Sequence, residues 1–336
     1  MGRTGLAVAG ALVLLAVAVL AAFAVGRYPV SPSELVTLVQ SKLAGTAHAL
    51  PATVETVVFG IRGPRILAAL LVGAALAAAG AAYQGLFRNP LVSPDILGVS
   101  AGAAFGAVLG IFLSLDVWAI QGLAFVFGLA AVGAAYAIAA SLRGHDPILV
   151  LVLAGVVLGA LLGACIALVK YLADPYNQLP AITYWLLGSL AATSPGDVRS
   201  TLLPVALGLV VLWLLRWRIT VLSLGDEEAA SLGIRAGRIR AIVIAAATLV
   251  TAAVVSISGI IGWIGLIIPH VARLLVGPDF RRLLPVAVLL GAGFLLAVDT
   301  LARTAARIEI PLGVLTAFVG TPLFLWLLAT ARRSWQ

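Results

Sequence analysis

Few side chains of this 336-residue sequence could catalyse a reaction, since it has 13 acidic residues, three histidines and one cysteine. A phosphate-binding loop that hydrolyses nucleotide needs Gly-Lys-Ser or Gly-Lys-Thr. The two lysines, Lys42 and Lys170, are instead followed by Leu43 and Tyr171. The sequence therefore excludes ATP hydrolysis by such a loop. The single cysteine, Cys165, excludes a disulfide framework and a thiolate metal cluster.

The acidic residues also do not form the sites that an ion-coupled carrier or a membrane protease needs. Ion-coupled carriers place ionisable groups or broken helices near the membrane midplane. Here every Asp and Glu lies in a loop or near a predicted helix end, and Asp299 comes closest to a buried position. We interpret the sequence as lacking the His-Glu-x-x-His, Gly-x-Ser-x-Gly and paired-aspartate sites of intramembrane proteases. Active transport by this chain would therefore need energy from another subunit.

The composition indicates what kind of element holds these residues. Apolar residues make up 62% of the chain and charged residues 10%, and the mean hydropathy is +1.17. Soluble domains are about 45–50% apolar and about 25% charged, and a water-soluble fold cannot bury so much apolar surface. The composition excludes a soluble enzyme, a nucleic-acid-binding protein and a disordered chain. It predicts an all-α membrane protein, in which the net charge of +8 reflects membrane topology.

Ten apolar runs approach the roughly 20 residues that a membrane-spanning helix needs. They lie at about 6–26, 64–86, 96–114, 117–140, 148–169, 198–215, 239–257, 258–276, 283–299 and 310–330. No low-complexity linker divides them, so we interpret residues 1–336 as a single polytopic membrane domain.

The basic residues predict how these spans are oriented. If the N-terminus lies in the cytoplasm, 13 of the 21 basic residues fall on the cytoplasmic side and 8 on the external side. Positively charged loops favour the cytoplasmic side. With an even number of spans, both termini are predicted to be cytoplasmic.

One short helix is predicted outside the membrane, at residues 31–43. Residues 31–34 read Ser-Pro-Ser-Glu, a capping box with proline at the first helical position. One face of the following helix is apolar, so it is predicted to lie externally against the membrane or the bundle. That face comprises Leu35, Leu38, Val39 and Leu43.

A second short helix is predicted on the cytoplasmic side, within residues 222–234. Three consecutive acids at 226–228 favour a helix N-terminus, and Gly233 is a natural residue just past a helix C-terminus. A helix of about two turns is marginal alone, so this segment is predicted to dock in a partner's groove. The surrounding arginines are interpreted as contacts to lipid headgroups or to that partner; they are Arg216, Arg218, Arg235, Arg238 and Arg240.

Four groups of motifs occur in a recognisable order. They are Arg62-Gly-Pro-Arg65 with Gly80-Ala-Ala-Tyr-Gln84, Asn89-Pro90-Leu91 and Pro94-Asp-Ile-Leu-Gly98; Leu222-x-Leu-Gly225 with Ala229 and Leu232-Gly233; Gly262-x-x-Gly265-Leu-Ile-Ile-Pro269-His270-x-x-Arg273; and Pro311-Leu-Gly313 with Gly320-x-Pro322. From Arg62 to Leu328 the chain thereby resembles the permease subunits of ATP-binding-cassette (ABC) importers for iron–siderophore complexes, haem and vitamin B12. One departure is Asp279-Phe280-Arg281, where the family commonly has Asp-His-Arg.

The resemblance implies the permease fold of a type II ABC importer in a bacterial inner or cytoplasmic membrane. It implies a homodimer with ten helices per subunit and a translocation pathway along the dimer axis, moving cargo by alternating access. Two cytoplasmic ATPase subunits would hold ATP and Mg²⁺, and a periplasmic or lipid-anchored binding protein would deliver the cargo. The chain itself is expected to bind no cofactor or metal, to bind no nucleic acid and to catalyse no reaction.

The resemblance also assigns roles to particular residues. The coupling helix that sits in a cleft of the ATPase would comprise Leu224, Gly225, Asp226, Glu227, Glu228, Ala229, Leu232 and Gly233. Docking of the binding protein would use Arg62, Arg65 and Arg303, for which interfacial snorkelling is the alternative. The cytoplasmic gate would include Asn89, Pro90, Leu91, Arg143 and His145, although Asn89 before proline could simply form a turn.

We therefore predict the transmembrane permease of an importer for a metal chelate, with a ferric siderophore or haem as cargo. Within the class, the alternatives are a cobalamin importer and a molybdate-type oxyanion importer. Outside the class, an ATP-independent secondary carrier or a membrane scaffold remains open.

Overall fold

A computed structural model describes residues 3–26, 28–47, 49–142 and 146–331, and within these ranges every regular element is helical. The helices are α1 (Arg3–Ala24), α2 (Pro32–Ala44), α3 (Ala52–Glu55), α4 (Gly63–Leu86), α5 (Val99–Phe112), α6 (Val117–Ser141), α7 (Pro147–Leu172), α8 (Gln178–Leu187), α9 (Pro195–Leu222), α10 (Asp226–Ser231), α11 (Ala236–Ser258), α12 (Ile264–Val276), α13 (Phe280–Thr304) and α14 (Leu312–Ala331). A π-helical segment, Thr56–Arg62, joins α3 to α4, and a 3₁₀ turn, Pro94–Leu97, precedes α5.

Ten of these helices coincide with the ten predicted apolar runs. Among the described residues, seven helical stretches are long and apolar enough to cross a membrane, and three shorter apolar helices accompany them. The short ones are α5, α12 and α14. The prediction of an all-α membrane protein with about ten spans is therefore confirmed.

The run at 258–276 is shorter as a helix than its apolar length suggests. Helix α11 ends at Ser258 and α12 begins only at Ile264. The intervening backbone has positive φ angles, +66° at Gly259 and +73° at Trp263. A Cβ on Gly259 would lie 2.2 Å from the carbonyl oxygen of Trp185. The helix is interrupted here because these φ angles are not helical, and the backbone of α8 packs directly against the break, a contact that hydropathy does not report.

Helix α8, which forms part of this contact, was not among the predicted elements. Its side chain Ile182 is fully buried, and Gln178 Nε2 donates a 2.7 Å hydrogen bond to the carbonyl oxygen of Phe112 at the end of α5. At ten residues it is too short to cross a membrane. It instead covers one end of the bundle beside α5 and the α11–α12 break.

Helices α4 and α11 form the centre of the bundle. In the most apolar 18 residues of the stretch that ends in α4, 78% of the residues are buried, and in those of α11 72% are buried. The corresponding shares are 17% for α7 and 11% for α1. Small residues permit this placement: a Cβ on Gly73 would lie 2.2 Å from Gly291 O of α13, and one on Gly80 1.9 Å from Gly265 O of α12. Lipid tails are as apolar as side chains, so close packing of small residues stabilises helix contacts in membranes.

Polar contacts gather at the two ends of the bundle. At one end, here named the arginine end, Arg65 at the start of α4 pairs with Asp299 near the end of α13. At the other, here named the coupling end, Gln84 near the end of α4 accepts a hydrogen bond from Arg273 of α12. Helix α10 lies at the coupling end, where Thr220 of α9 donates to Asp279 before α13.

Helix α2 has the predicted capping box. Glu34 N donates to Ser31 Oγ at 3.2 Å, and Ser31 N donates to the Glu34 carboxylate at 2.7 Å. The hydrogen bonds that Ser31 N and then Ser31 Oγ donate to the carboxylate hold the pKa of Glu34 below its ordinary value. Of the predicted apolar face, Leu38 is fully buried, whereas Val39 and Leu43 are exposed. Only part of that face therefore packs on the bundle.

Candidate functional site

The segment Leu224–Gly233, named the coupling element, forms a short helix between two glycines. Gly225, with φ of +150°, precedes α10, and a Cβ there would lie 2.0 Å from Glu228 Oε2. Gly233 follows α10 with φ of +73°, and its N–H donates to Ala230 O at 2.9 Å. Both turns thus need backbone conformations that side chains disfavour, and the predicted positions of the helix start and stop are confirmed.

Two contacts attach the coupling element to the bundle. Ala229 is fully buried and packs in the main hydrophobic core. Asp226 accepts a 2.9 Å hydrogen bond from Arg240 Nη2 at the start of α11. Because the Arg240 side chain is only 11% exposed, this ion pair is better shielded from solvent than a typical surface pair.

The rest of the coupling element faces away from the bundle. Leu224 and Leu232 are 65% and 56% exposed, and Glu227 and Glu228 are exposed beside them. Neither glutamate has an ion-pair partner among the described residues. The element therefore presents two leucines and two carboxylates on a base that is anchored to α9 and α11.

The three arginines predicted to dock a binding protein lie together at the arginine end, and all three are buried. Arg65 donates through Nε to both oxygens of Asp299, at 3.0 and 3.1 Å. Its Nη1 and Nη2 donate to the two oxygens of Glu309, at 3.0 and 2.9 Å. One guanidinium thereby binds two carboxylates, the second of them in the bidentate geometry that favours Arg over Lys.

Arg62 and Arg303 bind the end of α1. Arg62 donates to the carbonyl oxygen of Phe23 in the last turn of α1 and to that of Tyr28 beyond the helix, and Arg303 donates to that of Ala22. Carbonyl groups at a helix C-terminus lack partners within the helix and attract cations. The Arg303 Nε lies 3.9 Å from Asp299 Oδ2 and has no hydrogen-bond partner. The five side chains, three cations and two anions, form what we name the arginine cluster: Arg62, Arg65, Asp299, Arg303 and Glu309.

Sequence reasoning missed the two acids of this cluster. Asp299 and Arg303 are four residues apart on α13, a spacing at which opposite charges meet on one helix face. That spacing could have indicated the pair. The approach of Glu309 to Arg65 could not be read from the sequence, since 244 positions separate the two residues.

The predicted gate residues are only partly described. Arg143 and His145 lie outside the described residues, so their role stays a prediction. Asn89 forms a turn in which its Oδ1 accepts a 2.9 Å hydrogen bond from Leu91 N, and Leu91 is 48% exposed. Arg88, just before, has a φ of +50°. The turn that was weighed as the alternative is present, and a gating role for Asn89, Pro90 and Leu91 remains a prediction.

Two of the sequence motifs meet beside this turn. Gln84 Nε2 donates to Leu266 O at 3.0 Å, and Gln84 Oε1 accepts from Arg273 Nη2 at 2.9 Å. The close approach of Gly80 to Gly265 lies one turn along the same pair of helices. These motif residues join α4 to α12, so their shared role here is packing and polar bonding at the helix crossing.

One chemical motif was overlooked in the sequence, because Gly98-Val-Ser100-Ala-Gly102 matches Gly-x-Ser-x-Gly. In hydrolases that pattern lies on a strand-to-helix turn that exposes the serine. Here Ser100 lies in the first turn of α5, and its hydroxyl donates to Asp95 of the preceding 3₁₀ turn. The described residues contain no strand, so this serine is not placed as a nucleophile.

An apolar cavity of about 790 Å³ opens between α8, the α11–α12 break and α14. Gly313 and Gly320 of α14 bring that helix close to the wall, since a Cβ on Gly320 would lie 2.8 Å from Trp263. Thr321 is the one hydroxyl side chain in a lining that is otherwise apolar; the lining includes Leu186, Leu187, Trp263, Phe318 and Leu325.

The fold defines a class of protein. A bundle of ten apolar helices whose polar contacts gather at its two ends is a multi-pass membrane protein. The chain belongs to the FecCD transport family, whose model matches residues 14–330. It is therefore a permease subunit of an ABC importer, as predicted, and the role of transport subunit is confirmed.

Individual relatives agree with this membership. The chain is 38% identical over 315 residues to the molybdate import system permease protein MolB of Haemophilus influenzae, covering 94% of this chain and 93% of that protein. It is 44% identical over 280 residues to the cobalamin import system permease protein BtuC of Halobacterium salinarum, covering 83% and 75%. A solved structure described as an inward-facing conformation of a metal-chelate type ABC transporter is similar, with TM-score 0.87, 36% identity and 96% and 98% coverage.

Proposed function

We propose that the cargo of this permease is a metal chelate, with a ferric siderophore or haem as the first candidates and cobalamin next. The apolar cavity beside α14 carries the proposal. A bulky chelate presents a large organic surface, and a wall of leucine, tryptophan and phenylalanine has room for that surface with few polar groups to hold it. The metal-chelate type transporter of similar structure supports the same class of cargo.

A molybdate-type oxyanion is the second candidate, because the relative named for molybdate matches 94% of the chain. Uptake into proteoliposomes that contain the assembled importer separates the candidates. Binding protein loaded with ferric siderophore, haem, cobalamin or molybdate is supplied on the external side, and accumulation is measured with ATP inside. Accumulation of a chelate and not of molybdate is the expected result, and accumulation of molybdate alone contradicts the proposal.

The energy for transport is proposed to come from two separate ATPase subunits, which bind ATP and Mg²⁺, while this chain holds no cofactor. Each ATPase would receive one coupling element, with Leu224 and Leu232 in its groove and Glu227 and Glu228 at the rim. The support is the combination of exposed leucines with a firmly attached base, which lets movement of the groove pull on α9 and α11.

Substitution of the leucines tests this assignment. Leu232→Asp places a charge in the groove and is expected to abolish ATPase stimulation by loaded binding protein, while the permease alone keeps its oligomeric state and thermal stability. Leu275→Asp, at a residue of α12 that is 47% exposed, is the matched control. Uptake that persists after ATP depletion would reject an ATP-driven mechanism.

Binding-protein docking at Arg62, Arg65 and Arg303 is proposed as an exchange of partners. The cluster has three cations against two carboxylates, so it can accept further negative charge. The Glu309 side chain is 29% exposed, whereas that of Asp299 is 1% exposed. An acidic group of the binding protein would therefore displace Glu309 from Arg65 and leave Asp299 in place.

Paired variants test the exchange because they act in opposite directions. Glu309→Gln removes the competing carboxylate and is expected to tighten docking, whereas Arg65→Gln is expected to weaken it, each more visibly at low salt. Arg199→Gln, at an exposed arginine near the start of α9, is the control. The Kd is measured by surface binding of the binding protein to nanodiscs. If neither Glu309→Gln nor Arg65→Gln changes the Kd relative to the unsubstituted permease, the assignment is wrong.

The remaining assembly is proposed from the family. Two copies would form a homodimer, in which the cavities beside α14 face each other across the axis. The coupling end would lie in the cytoplasm and the arginine end outside a bacterial inner or cytoplasmic membrane. The segments 88–91 and 141–147 would close the pathway at the coupling end. The excess of basic residues predicted for the cytoplasmic side supports this orientation.

A further inference from the structure

A second cavity, of about 460 Å³, lies at the coupling end in the groove between the end of α9 and the start of α11. Its apolar lining comprises the buried Leu215 and Ile239 and the exposed Trp217 and Ile242. Its rim carries Arg218, Arg235 and Arg238, and Leu232 to Ile234 of the coupling element complete it. We name this cavity the basic groove. No acidic residue lines it.

The three rim arginines differ from three other arginines of this end, Arg240, Arg273 and Arg281. Arg218, Arg235 and Arg238 are exposed, and none of their guanidinium groups has an ion-pair or hydrogen-bond partner among the described residues. By contrast, Arg240 binds Asp226, Arg273 binds Gln84, and Arg281 binds Asp279. Three like charges around one groove repel one another, and an anion held between them removes that repulsion. Guanidinium groups bind phosphate oxygens by paired, charge-assisted hydrogen bonds.

The neighbouring aromatic residues indicate the depth of the groove in the membrane. Trp213 and Trp217 are 46% and 45% exposed on the outer face of α9, next to Leu214, which is 71% exposed. The guanidinium of Arg216 lies 3.8 Å from the centre of the Trp213 ring. Tryptophan is enriched where acyl chains meet headgroups. The apolar wall of the groove therefore lies at acyl-chain depth and its arginines at headgroup depth.

We propose that the basic groove binds an anionic phospholipid. Its headgroup phosphate would lie between Arg218, Arg235 and Arg238, and its acyl chain would run along Trp217 and Ile242. Basic pockets between helices at a membrane surface suit such lipids. The bound lipid would also contact Gly233 and Ile234, so it would brace the end of the coupling element against α9 and α11. The proposal requires only a multi-pass membrane protein and is independent of the cargo.

Lipid retention by the full-length chain tests the proposal. The purified protein in detergent is titrated with phosphatidylglycerol or phosphatidylcholine, and bound lipid is counted by native mass spectrometry. We expect phosphatidylglycerol to be retained and phosphatidylcholine to be lost. In R235Q/R238Q, apparent affinity for phosphatidylglycerol should fall on the order of tenfold or more, since each basic residue contributes about 1 kcal/mol near an anionic surface. The matched control R281Q/R282Q removes two arginines at the same end and should retain the lipid.

Further variants and a competition experiment distinguish a bound lipid from other anions and from a protein partner. R235K/R238K keeps both charges but not the paired hydrogen bonds, so it should recover part of the lipid binding. Such recovery shows that the loss in R235Q/R238Q comes from the missing charge and not from misfolding. Equal retention in R235Q/R238Q and R281Q/R282Q overturns the proposal, as does displacement of the lipid by millimolar inorganic phosphate. It is also overturned if R235Q/R238Q binds lipid normally but loses the ATPase subunit, because the groove would then contact a protein.

Discussion

At the scale of single residues, a few charged side chains hold the ends of the bundle together. Asp299 is the most buried of them, and it faces Arg65 and Arg303 at once. Removing one partner of a buried ion pair is costly because it leaves the other charge desolvated and unpaired. The arginine cluster is therefore both a structural joint between α1, α4 and α13 and the proposed docking point.

Asp299→Asn tests the structural part of that role. The substitution leaves Glu309 as the only acid for three arginines, and we expect a loss of roughly 3–5 kcal/mol of stability. The thermal midpoint, measured by fluorescence-detected size exclusion, should fall by about 5 °C or more. Glu227→Gln, at an exposed carboxylate without a described partner, should leave the midpoint unchanged. Equal midpoints for both variants would contradict the buried network.

Asp279 makes stability at the coupling end depend on pH. Hydrogen bonds from the Arg281 guanidinium, then from Arg281 N and Thr220 Oγ1, hold the pKa of this carboxyl below its ordinary value despite partial burial. A lowered folded-state pKa means that the carboxylate stabilises the fold above the unfolded-state pKa of about 3.9. That stabilisation is lost as pH falls through the folded-state pKa.

Asp279→Asn should therefore destabilise the protein at neutral pH and much less in acid. Asparagine still caps α13, so the substitution removes only the charge at the helix N-terminus and beside Arg281, which is expected to cost about 0.5–1 kcal/mol at pH 7. The difference in thermal midpoint between wild type and variant should shrink when both are measured below pH 3.5. A difference that stays constant from pH 7 to pH 3 would show that the charge of Asp279 does not act as described.

At the scale of elements, close packing rather than side-chain chemistry accounts for most of the motif residues. Gly80 lets α4 touch α12, Gly73 lets α4 touch α13, and Gly259 lets the α11–α12 break pass against α8. A central helix can contact several neighbours only if its surface is smooth, which the run of alanine and glycine in α4 provides. The same smoothness leaves hydropathy unable to indicate which neighbour lies on which face.

Gly80→Ala measures this packing directly. Its Cβ would lie 1.9 Å from Gly265 O, so α4 and α12 must separate. Overpacking of this kind costs about 1–3 kcal/mol. Gly133→Ala on the outer face of α6, where nothing lies within 4 Å, is the matched control. It should be neutral or stabilise by about 0.5–1 kcal/mol. The thermal midpoints of the two variants should thus move apart.

At the scale of the whole molecule, the charged residues gather at two ends, and they are paired differently at each end. The arginine end joins its cations to acids and helix carbonyls, while the coupling end presents Glu227 and Glu228 outward and leaves Arg218, Arg235 and Arg238 unpaired. Between them the helices are almost entirely apolar. Partner proteins can therefore contact charged groups at either end, whereas the apolar helices between the ends offer few groups that could bind an ion.

Cysteine accessibility checks the orientation on which this division depends. Cys165 is first replaced by serine, and a single cysteine is placed at Leu43, which is 85% exposed on α2, or at Glu227 in the coupling element. With an impermeant maleimide on intact cells, Leu43→Cys should react and Glu227→Cys should react only after permeabilisation. The reverse pattern would invert the proposed topology.

The sequence by itself determined the class of the fold, the ten apolar runs, the ends of α10 and the capping box of α2. These features depend on local physics, since hydropathy over about 20 residues and capping within one turn need no distant partner. The family motifs similarly indicated the transport function. The sequence also placed the polar residues near helix ends, because burying a charge inside the bilayer is costly.

The tertiary structure alone decided which of these residues meet. Glu309 reaches Arg65 across 244 positions, α8 packs against the break between α11 and α12, and the end of α9 and the start of α11 bring three arginines around one groove. Each of these three contacts depends on the angle and the face at which one helix crosses another. Helices rich in alanine and glycine have no strongly apolar stripe, so their facing is set by how closely backbones can approach, and that is a property of pairs of helices.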